Sequence, residues 1–282
     1  MPIAHLPGVN LAYEDLGPRD APPLVLLHGA TETFRVSWKR LIEPLARCYR
    51  VIGVDLRGHG GSSNPAGALD LRQMADDVAA LLDHLSLVRA HIVGFSGGGS
   101  TALFFGVRHG ARARSLVLLS NNFERDEARR GRDFWSPDAI RARDALWLKG
   151  MAAWHTVPAE TLLGWWEAED RLRPAFTPDE LATLHLPVLV IGGDRDPIVP
   201  LDQSVRLYRA LPQGRLAILP GVGHGAPHRA PALLEQLLVA FIDDVEAAAD
   251  TPSDALRDHA TPDEDTDTPR PTAAALDAAT PS

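Results

Sequence analysis

Residues 91–100, HIVGFSGGGS, place Ser96 among four glycines directly after an apolar run. The apolar residues predict a strand, and the residues from Gly98 onward have the pattern of a helix. Glycine tolerates backbone torsions and close contacts that a β-carbon prevents, so glycines at 94 and 98 favour a tight turn between the two elements. A merely flexible turn would leave the strand and helix patterns on either side unexplained. The G-x-S-x-G spacing therefore predicts a strand–turn–helix unit that holds Ser96 in strained backbone torsions.

Other apolar runs in the chain are similar to the one before Ser96. They are rich in valine, isoleucine and leucine without strict polar alternation, as is typical of strands covered on both faces. They lie at residues 23–29, 50–56, 115–121, 187–193 and 215–221. Helical patterns lie between or after these runs, at residues 71–85, 100–110 and 230–248. This alternation predicts the α/β class, a mostly parallel twisted sheet flanked by helices, and residues 5–17 predict an antiparallel hairpin at its edge.

Residues 123–183 interrupt the alternation, because they contain no convincing strand pattern. They hold five of the six tryptophans, namely Trp135, Trp147, Trp154, Trp165 and Trp166. Prolines stand at positions typical of helix starts, at 137, 158 and 178. We therefore expect residues 123–183 to form a helical cap inserted between two parts of one core domain, residues 1–122 and 184–248.

The charge of the chain is uneven along its length. Of the formal net charge of −9, the segment from Asp250 to Ser282 carries −6, with five prolines and no aromatic residue. Such a segment cannot bury enough apolar surface to offset the entropy of ordering, so we expect residues 249–282 to be disordered. The remaining −3 provides no strongly charged surface for nucleic acid or for an anionic membrane. These partners are not expected, whereas a small-molecule substrate is.

The chain has no 18-residue apolar run, no basic and then apolar N-terminal signal, and a single cysteine, Cys48. These features predict a cytoplasmic protein without a transmembrane helix or an intramolecular disulfide. Histidines are scattered without the spacing of metal ligands, so no metal site is expected. A monomer and a homodimer are both compatible with the sequence.

A serine hydroxyl is a weak nucleophile unless a base removes its proton, and that base is commonly oriented by a carboxylate. Two acids follow the strand pattern at 187–193, Asp194 and Asp196. Two histidines follow the strand pattern at 215–221, His224 and His228. The backbone N–H of Gly97, at the start of the helix after Ser96, is available to stabilise a developing oxyanion. Position in the chain leaves either acid and either histidine open.

With these segments the chain resembles the α/β-hydrolases of the serine type, over roughly residues 10–247. In that family the aspartate of a G-x-x-D-x-x-x-P segment is the acid, which implies Asp196. A Gly-His pair after the last strand carries the base, which implies His224. The His-Gly-x loop at residues 28–30 implies that the N–H of Ala30 stabilises the oxyanion together with that of Gly97. The D-x-R-G-x-G-x-S segment at residues 55–62 is similar to a loop that is usually structural.

The resemblance implies an enzyme without a cofactor, a serine hydrolase that cleaves a small to medium hydrophobic ester or lactone through an acyl-enzyme on Ser96. Relatives that open epoxides or cleave carbon–halogen bonds carry aspartate at this position, so serine favours acyl chemistry. Ligands of this fold class bind beyond the carboxyl ends of the strands, where the cap would lie. The substrate-binding candidates are Phe95, Trp135, Trp154 and Trp165. The alternatives are a C–C bond hydrolase of a β-diketone-type substrate, a biosynthetic acyl-transfer or cyclisation enzyme, and a non-catalytic ligand-binding protein.

Overall fold

Eight strands form one sheet in the computed structural model, which describes residues 1–124, 134–173 and 175–250. The strands are Ile3–Leu6 (β1), Val9–Leu16 (β2), Pro23–Leu27 (β3), Arg50–Val54 (β4), Ala90–Phe95 (β5), Ala113–Leu119 (β6), Val188–Gly193 (β7) and Gly214–Leu219 (β8). Their order across the sheet is β1-β2-β4-β3-β5-β6-β7-β8. The pairs β1–β2 and β2–β4 are antiparallel, and the other neighbours are parallel.

Helices connect and cover the strands. They are Phe34–Ser37 (α1), Ile42–Ala46 (α2), Leu71–His84 (α3), Gly97–His109 (α4), Pro137–Arg143 (α5), Ala145–Trp154 (α6), Ala159–Leu172 (α7), Pro178–Ala182 (α8), Leu201–Ala210 (α9), Ala226–Arg229 (α10) and Pro231–Asp250 (α11). Met1–Glu246 form one compact unit, and Ala247–Ser282 form a second, of which the structure describes residues 247–250.

Side chains of the central strands alternate between two apolar cores, one on each face of the sheet. In β3, Val25 and Leu27 pack into the core that includes α3 and α4, whereas Leu24 and Leu26 pack into the core that includes α1, α2 and α11. Because both faces are covered, these strands carry apolar residues at successive positions rather than at every second one.

The predicted α/β class is confirmed, with a mostly parallel sheet and an antiparallel hairpin at one edge. Strands β3, β4, β6, β7 and β8 begin and end within two residues of their predicted bounds. Helices α1, α2 and α10 have four or five residues, and α9 has ten. These four helices were not predicted, and segments of four or five residues are too short to show a helical period.

The segment predicted as a cap contains helices α5 to α8 and, in its described residues, no strand. Two of its prolines stand at the first helical position, Pro137 after the N-cap Ser136 and Pro178 after the N-cap Thr177. Pro158 is itself the N-cap residue of α7. The described residues of the segment thus contain the helices that were predicted, while the cap and its bounds as a domain stay a prediction.

The predicted disordered tail lies almost wholly outside the described residues, since the description ends at residue 250. Helix α11 continues to Asp250, so residues 249 and 250 of the predicted tail are helical. None of the helices described at residues 1–124, 134–173 and 175–250 is long and apolar enough to cross a bilayer.

Candidate active site

Ser96 occupies a tight turn between β5 and α4, with φ of 51° and ψ of −113°. A β-carbon on Gly94 would lie 2.2 Å from the carbonyl oxygen of Gly98, and one on Gly98 would lie 2.5 Å from the carbonyl oxygen of His28. These contacts are with backbone atoms that cannot easily move, so the turn requires glycine at both positions. The strained turn predicted from the sequence is confirmed.

A chain of two hydrogen bonds connects the hydroxyl of Ser96 with His224 and, through it, with Asp196. Its Oγ lies 2.9 Å from Nε2 of His224, and Nδ1 of His224 lies 2.9 Å from Oδ2 of Asp196. The side chain of Asp196 is buried, and its Oδ1 accepts the backbone N–H groups of Ile198 and Val199 at 2.8 and 2.9 Å. A carboxylate only accepts hydrogen bonds, so Nδ1 carries the imidazole proton and Nε2 is left to accept the proton of Ser96. The geometry is that of a serine activated by an oriented base.

Asp194 and His228, the other acid and the other histidine that spacing had left open, make hydrogen bonds to different partners. Oδ1 of Asp194 accepts the N–H of Gly221 at 2.6 Å and makes no hydrogen bond to His224. His228 lies beside Glu32, with 3.0 Å between Nε2 and Oε1, and makes no hydrogen bond to Ser96. The structure therefore brings together the combination that the family resemblance implied.

Ala30 and Gly97 are neighbours across the turn. A β-carbon on Gly97 would lie 3.2 Å from the Cα atom of Ala30 and 2.9 Å from the indole ring of Trp166. Within the described residues, the N–H groups of Ala30 and Gly97 donate no hydrogen bond. Two adjacent N–H groups without acceptors beside a serine hydroxyl are suited to an oxyanion.

Buried histidines lie beside the loop that carries Ala30. Nδ1 of His28 donates to the carbonyl of Gly29 at 2.8 Å, and its Nε2 accepts the N–H of Leu56 at 2.9 Å. Complete burial lowers the pKa of His28 to about 3 and lowers the pKa of His59 well below its ordinary value. Both rings are therefore neutral near pH 7 and stabilise the loop through hydrogen bonds.

The segment at residues 55–62 stabilises neighbouring loops. Oδ1 of Asp55 accepts the N–H of Phe34 at 2.9 Å, and Oδ2 accepts the N–H of Gly61 at 3.1 Å. Arg57 makes two hydrogen bonds to the buried Asp77, at 2.7 and 2.8 Å. Neither Asp55 nor Arg57 lines the cavity next to Ser96.

A cavity of about 800 Å³ adjoins Ser96 and His224. Phe95 and Trp135, two of the substrate-binding candidates, line it. The other two, Trp154 and Trp165, do not. Trp154 lines a neighbouring groove, and the ring of Trp165 lies beside Gly58.

Two tryptophans that the sequence analysis had not selected line the cavity instead, Trp147 and Trp166. Trp166 is 2% exposed and stacks on Trp135, with 5.8 Å between ring centroids and 19° between ring planes. Trp147 donates its indole N–H to Oγ1 of Thr31 at 3.1 Å. Sequence composition had pointed to the correct segment and residue type, but not to these two indoles.

Polar side chains form part of the cavity wall and carry no sequence motif. Nη1 of Arg173 donates to Oγ of Ser100 at 3.1 Å, and Nη2 donates to Asp170. Glu32 and His228 also line the cavity. In the described part of the chain, no three His, Cys, Asp or Glu side chains are grouped so that they could hold a metal ion.

Two family models match the chain. The one described as alpha/beta hydrolase fold covers residues 22–152, and the one described as TAP-like protein covers residues 165–253. The AB hydrolase superfamily protein YisY of Bacillus subtilis is 30% identical, with 83% of this chain and 95% of the relative covered.

Other relatives have more specific names. The bifunctional esterase/perhydrolase DCH of Acinetobacter calcoaceticus is 27% identical, with 83% of this chain and 96% of the relative covered. The 2-hydroxymuconate semialdehyde hydrolase of a Pseudomonas species is 30% identical, with 80% and 89% covered.

Solved structures with the same fold include a thermophilic esterase from Thermogutta terrifontis, 27% identical, with a TM-score of 0.70 and 84% of this chain and 94% of that one covered. Est816, described as an N-acyl homoserine lactone degrading enzyme, is 26% identical, with a TM-score of 0.71 and 85% and 100% covered.

Proposed function

The chain belongs to the α/β-hydrolase superfamily, and we propose that it is a serine hydrolase that cleaves a carboxylic ester or lactone through an acyl-enzyme on Ser96. The observation that carries this proposal is the pair of 2.9 Å hydrogen bonds that join Ser96, His224 and Asp196. Such a chain of three side chains serves acyl transfer on several unrelated folds.

Each step of the reaction has a residue to perform it. Oγ of Ser96 attacks the carbonyl carbon while Nε2 of His224 takes the hydroxyl proton, and the carbonyl oxygen becomes an oxyanion beside the N–H groups of Ala30 and Gly97. As the carbon–oxygen bond to the alcohol breaks, His224 gives that proton to the leaving alkoxide. A water molecule then gives its proton to His224 and attacks the acyl group, and collapse of the second oxyanion returns the proton to Ser96.

The cavity supports a hydrophobic substrate of small to medium size. Aromatic rings and aliphatic side chains form much of its wall, among them Phe95, Trp135, Trp166 and Ile198. Ligand sites commonly have volumes of about 300–1,000 Å³, and the volume of about 800 Å³ lies within that range.

Hydrolysis of a C–C bond in a β-diketone-type substrate is the second candidate. Such a reaction needs polar groups that can protonate or hold the carbon fragment, and Glu32 and His228 provide a polar pair on the cavity wall. The 30% identical 2-hydroxymuconate semialdehyde hydrolase also supports this candidate.

The first experiment is hydrolysis of p-nitrophenyl esters from acetate to octanoate, with wild type beside Ser96→Ala. Ser86→Ala is the matched control, because Ser86 is an exposed serine that also has a positive φ, 54°, and lies outside the cavity. We expect Ser96→Ala to abolish turnover, Ser86→Ala to retain it, and the chain-length profile to report the size of the acyl site.

A fluorophosphonate probe separates the remaining outcomes. Labelling of Ser96 without ester turnover would support a competent nucleophile with a narrower substrate, and would favour C–C cleavage or a pathway-specific acyl transfer. If the protein showed neither labelling nor turnover, the hydrolase proposal would be overturned in favour of a ligand-binding protein on the same fold.

A further inference from the structure

A second histidine with its own carboxylate lies on the wall of the cavity that contains Ser96. Nε2 of His228 is 3.0 Å from Oε1 of Glu32, and both residues line the cavity. The two residues are 196 positions apart in the chain and belong to different segments, the loop after β3 and helix α10. The proposed reaction uses neither side chain.

Glu32 is held firmly in place. Its carboxylate is buried, with 5% of the residue exposed, and Oε2 accepts the hydroxyl of Ser37. The same Ser37 hydroxyl oxygen accepts the N–H of Gly29 at 3.1 Å, and the N–H of Glu32 donates to the carbonyl of Gly29 at 3.0 Å. The carboxylate is therefore fixed to the loop that carries Ala30, and its second oxygen, Oε1, faces His228.

The hydrogen bond to Glu32 determines which nitrogen of His228 is available. A carboxylate only accepts hydrogen bonds, so Nε2 of His228 carries a proton and donates a hydrogen bond to Glu32. Neutral imidazole then has its lone pair on Nδ1, and among residues 1–124, 134–173 and 175–250 no partner makes a hydrogen bond to Nδ1. The His228 side chain is 34% exposed, which leaves room for a ligand group to approach.

The surroundings of His228 are aromatic. Its ring makes edge contacts with Phe95 and Trp147, at centroid distances of 6.4 and 6.3 Å. Phe95 also contacts His224, with 5.4 Å between ring centroids, so the same aromatic ring neighbours both histidines. In a cavity lined mainly by apolar groups, a few fixed polar atoms determine which substrate binds and in which orientation.

We propose that Nδ1 of His228, oriented by Glu32, accepts a hydrogen bond from a hydroxyl or amide N–H group of the substrate. The inference rests on the proposed ester or lactone hydrolysis and narrows its substrate class. The preferred substrates are esters or lactones that carry a hydrogen-bond donor within a few atoms of the scissile carbonyl, rather than plain alkyl esters. His228 is a specificity-determining residue, and Glu32 is its positioning residue.

The test compares substrates that differ by one donor. On the acyl side, p-nitrophenyl 3-hydroxyhexanoate is compared with p-nitrophenyl hexanoate. On the alcohol side, 2-hydroxyethyl hexanoate is compared with propyl hexanoate. The readout is the ratio of kcat/KM within each pair, measured for wild type, His228→Phe and His228→Ala. A ratio within one variant remains meaningful even if the substitution changes the overall rate.

We expect wild type to prefer the hydroxylated member of at least one pair by about tenfold, the size of one hydrogen bond to a neutral partner. Both variants are expected to bring that ratio close to one, mainly by raising KM for the hydroxylated substrate. His185→Phe is the matched control, because His185 is exposed and does not line the cavity, and it should keep the wild-type ratio.

Two results would overturn the inference while leaving the hydrolase proposal intact: no preference in wild type for either hydroxylated substrate, or a preference that survives in both His228 variants. Absence of all ester turnover together with absence of labelling at Ser96 is a different result. That result would overturn the proposed function and, with it, the role proposed for His228.

Discussion

The indole N–H of Trp166 donates a hydrogen bond to Nε2 of His59 at 2.9 Å, and the same nitrogen lies 2.7 Å from the carbonyl oxygen of Ala30. Trp166 belongs to α7, whereas His59 follows β4 and Ala30 follows β3. His155, after α6, makes a similar connection: its Nδ1 accepts the N–H of Gly60 at 2.9 Å, and its Nε2 lies 3.1 Å from the carbonyl oxygen of Thr31. The helical segment therefore contacts the loop proposed to stabilise the oxyanion.

Trp166→Phe should destabilise the protein by about 1–3 kcal/mol, because it leaves the buried Nε2 of His59 without its donor. Trp154→Phe is the control. It removes the same atoms, but the indole of Trp154 makes no hydrogen bond within the described residues. The measurement is the free energy of unfolding in urea, with kcat on a p-nitrophenyl ester beside it. Equal losses in the two variants would show that the hydrogen bond adds nothing beyond ring packing.

Two neighbouring aspartates provide a direct test of which acid orients His224. Asp196→Asn should lower kcat by about 10⁴-fold, because an amide in this position favours the wrong tautomer of the histidine. Asp194→Asn should leave kcat nearly unchanged, since the side-chain oxygen can still accept the N–H of Gly221 and Asp194 makes no hydrogen bond to His224. Steady-state kinetics of both variants decides the assignment, and a large loss in Asp194→Asn with a small one in Asp196→Asn would reverse it.

Gly94→Ala should prevent the turn at Ser96 from forming. The added methyl group would lie 2.2 Å from the carbonyl oxygen of Gly98, so β5 and α4 would have to separate, at a cost of about 3 kcal/mol or more. Gly164→Ala is the matched control, because that exposed helical glycine has open space around its β-position and should gain up to about 1 kcal/mol. Thermal unfolding of both variants gives the comparison, and similar melting temperatures would contradict the steric argument.

The fold was predictable because the strong signals are local. The sequences of β3 to β8 are apolar at successive positions. The G-x-S-x-G spacing predicts the tight turn from β5 to α4. Asp196 and His224 each follow a strand in a short segment with recognisable spacing. Parallel strands bring their carboxyl ends to one edge of a sheet, so residues far apart in the chain meet there.

The cavity wall was less predictable, because it depends on the rotation of each of the helices α5 to α7 about its own axis. Trp165 and Trp166 are neighbours on α7, yet one lies beside Gly58 and the other on the cavity wall. Successive helical residues point about 100° apart, and composition alone does not reveal which one faces inward. The contact between Glu32 and His228 has no local spacing pattern at all, since 196 positions separate its members.

We expect the buried carboxyl group of Glu169, on α7, to make the stability of the protein depend on pH. The residue is 6% exposed, and burial raises the pKa of its carboxyl group to about 7, although Arg173 lies 3.5 Å away and opposes the shift. In the unfolded chain the group titrates near its ordinary value of 4.5. The folded state therefore holds the proton more tightly, and ionisation costs stability as the pH rises from about 4.5 to about 7.

Glu169→Gln removes this titration. Relative to wild type, the variant should gain up to about 2 kcal/mol in free energy of unfolding at about pH 8, and little or nothing at about pH 5, where the wild-type carboxyl is already protonated. Glu167→Gln is the control on the same helix, because Glu167 is an exposed residue in an ion pair with Arg171. Urea unfolding at both pH values measures the difference. If Glu169→Gln differs from wild type by the same amount at both, the carboxyl of Glu169 is ionised in the folded protein throughout this range, and its burial does not control the pH dependence.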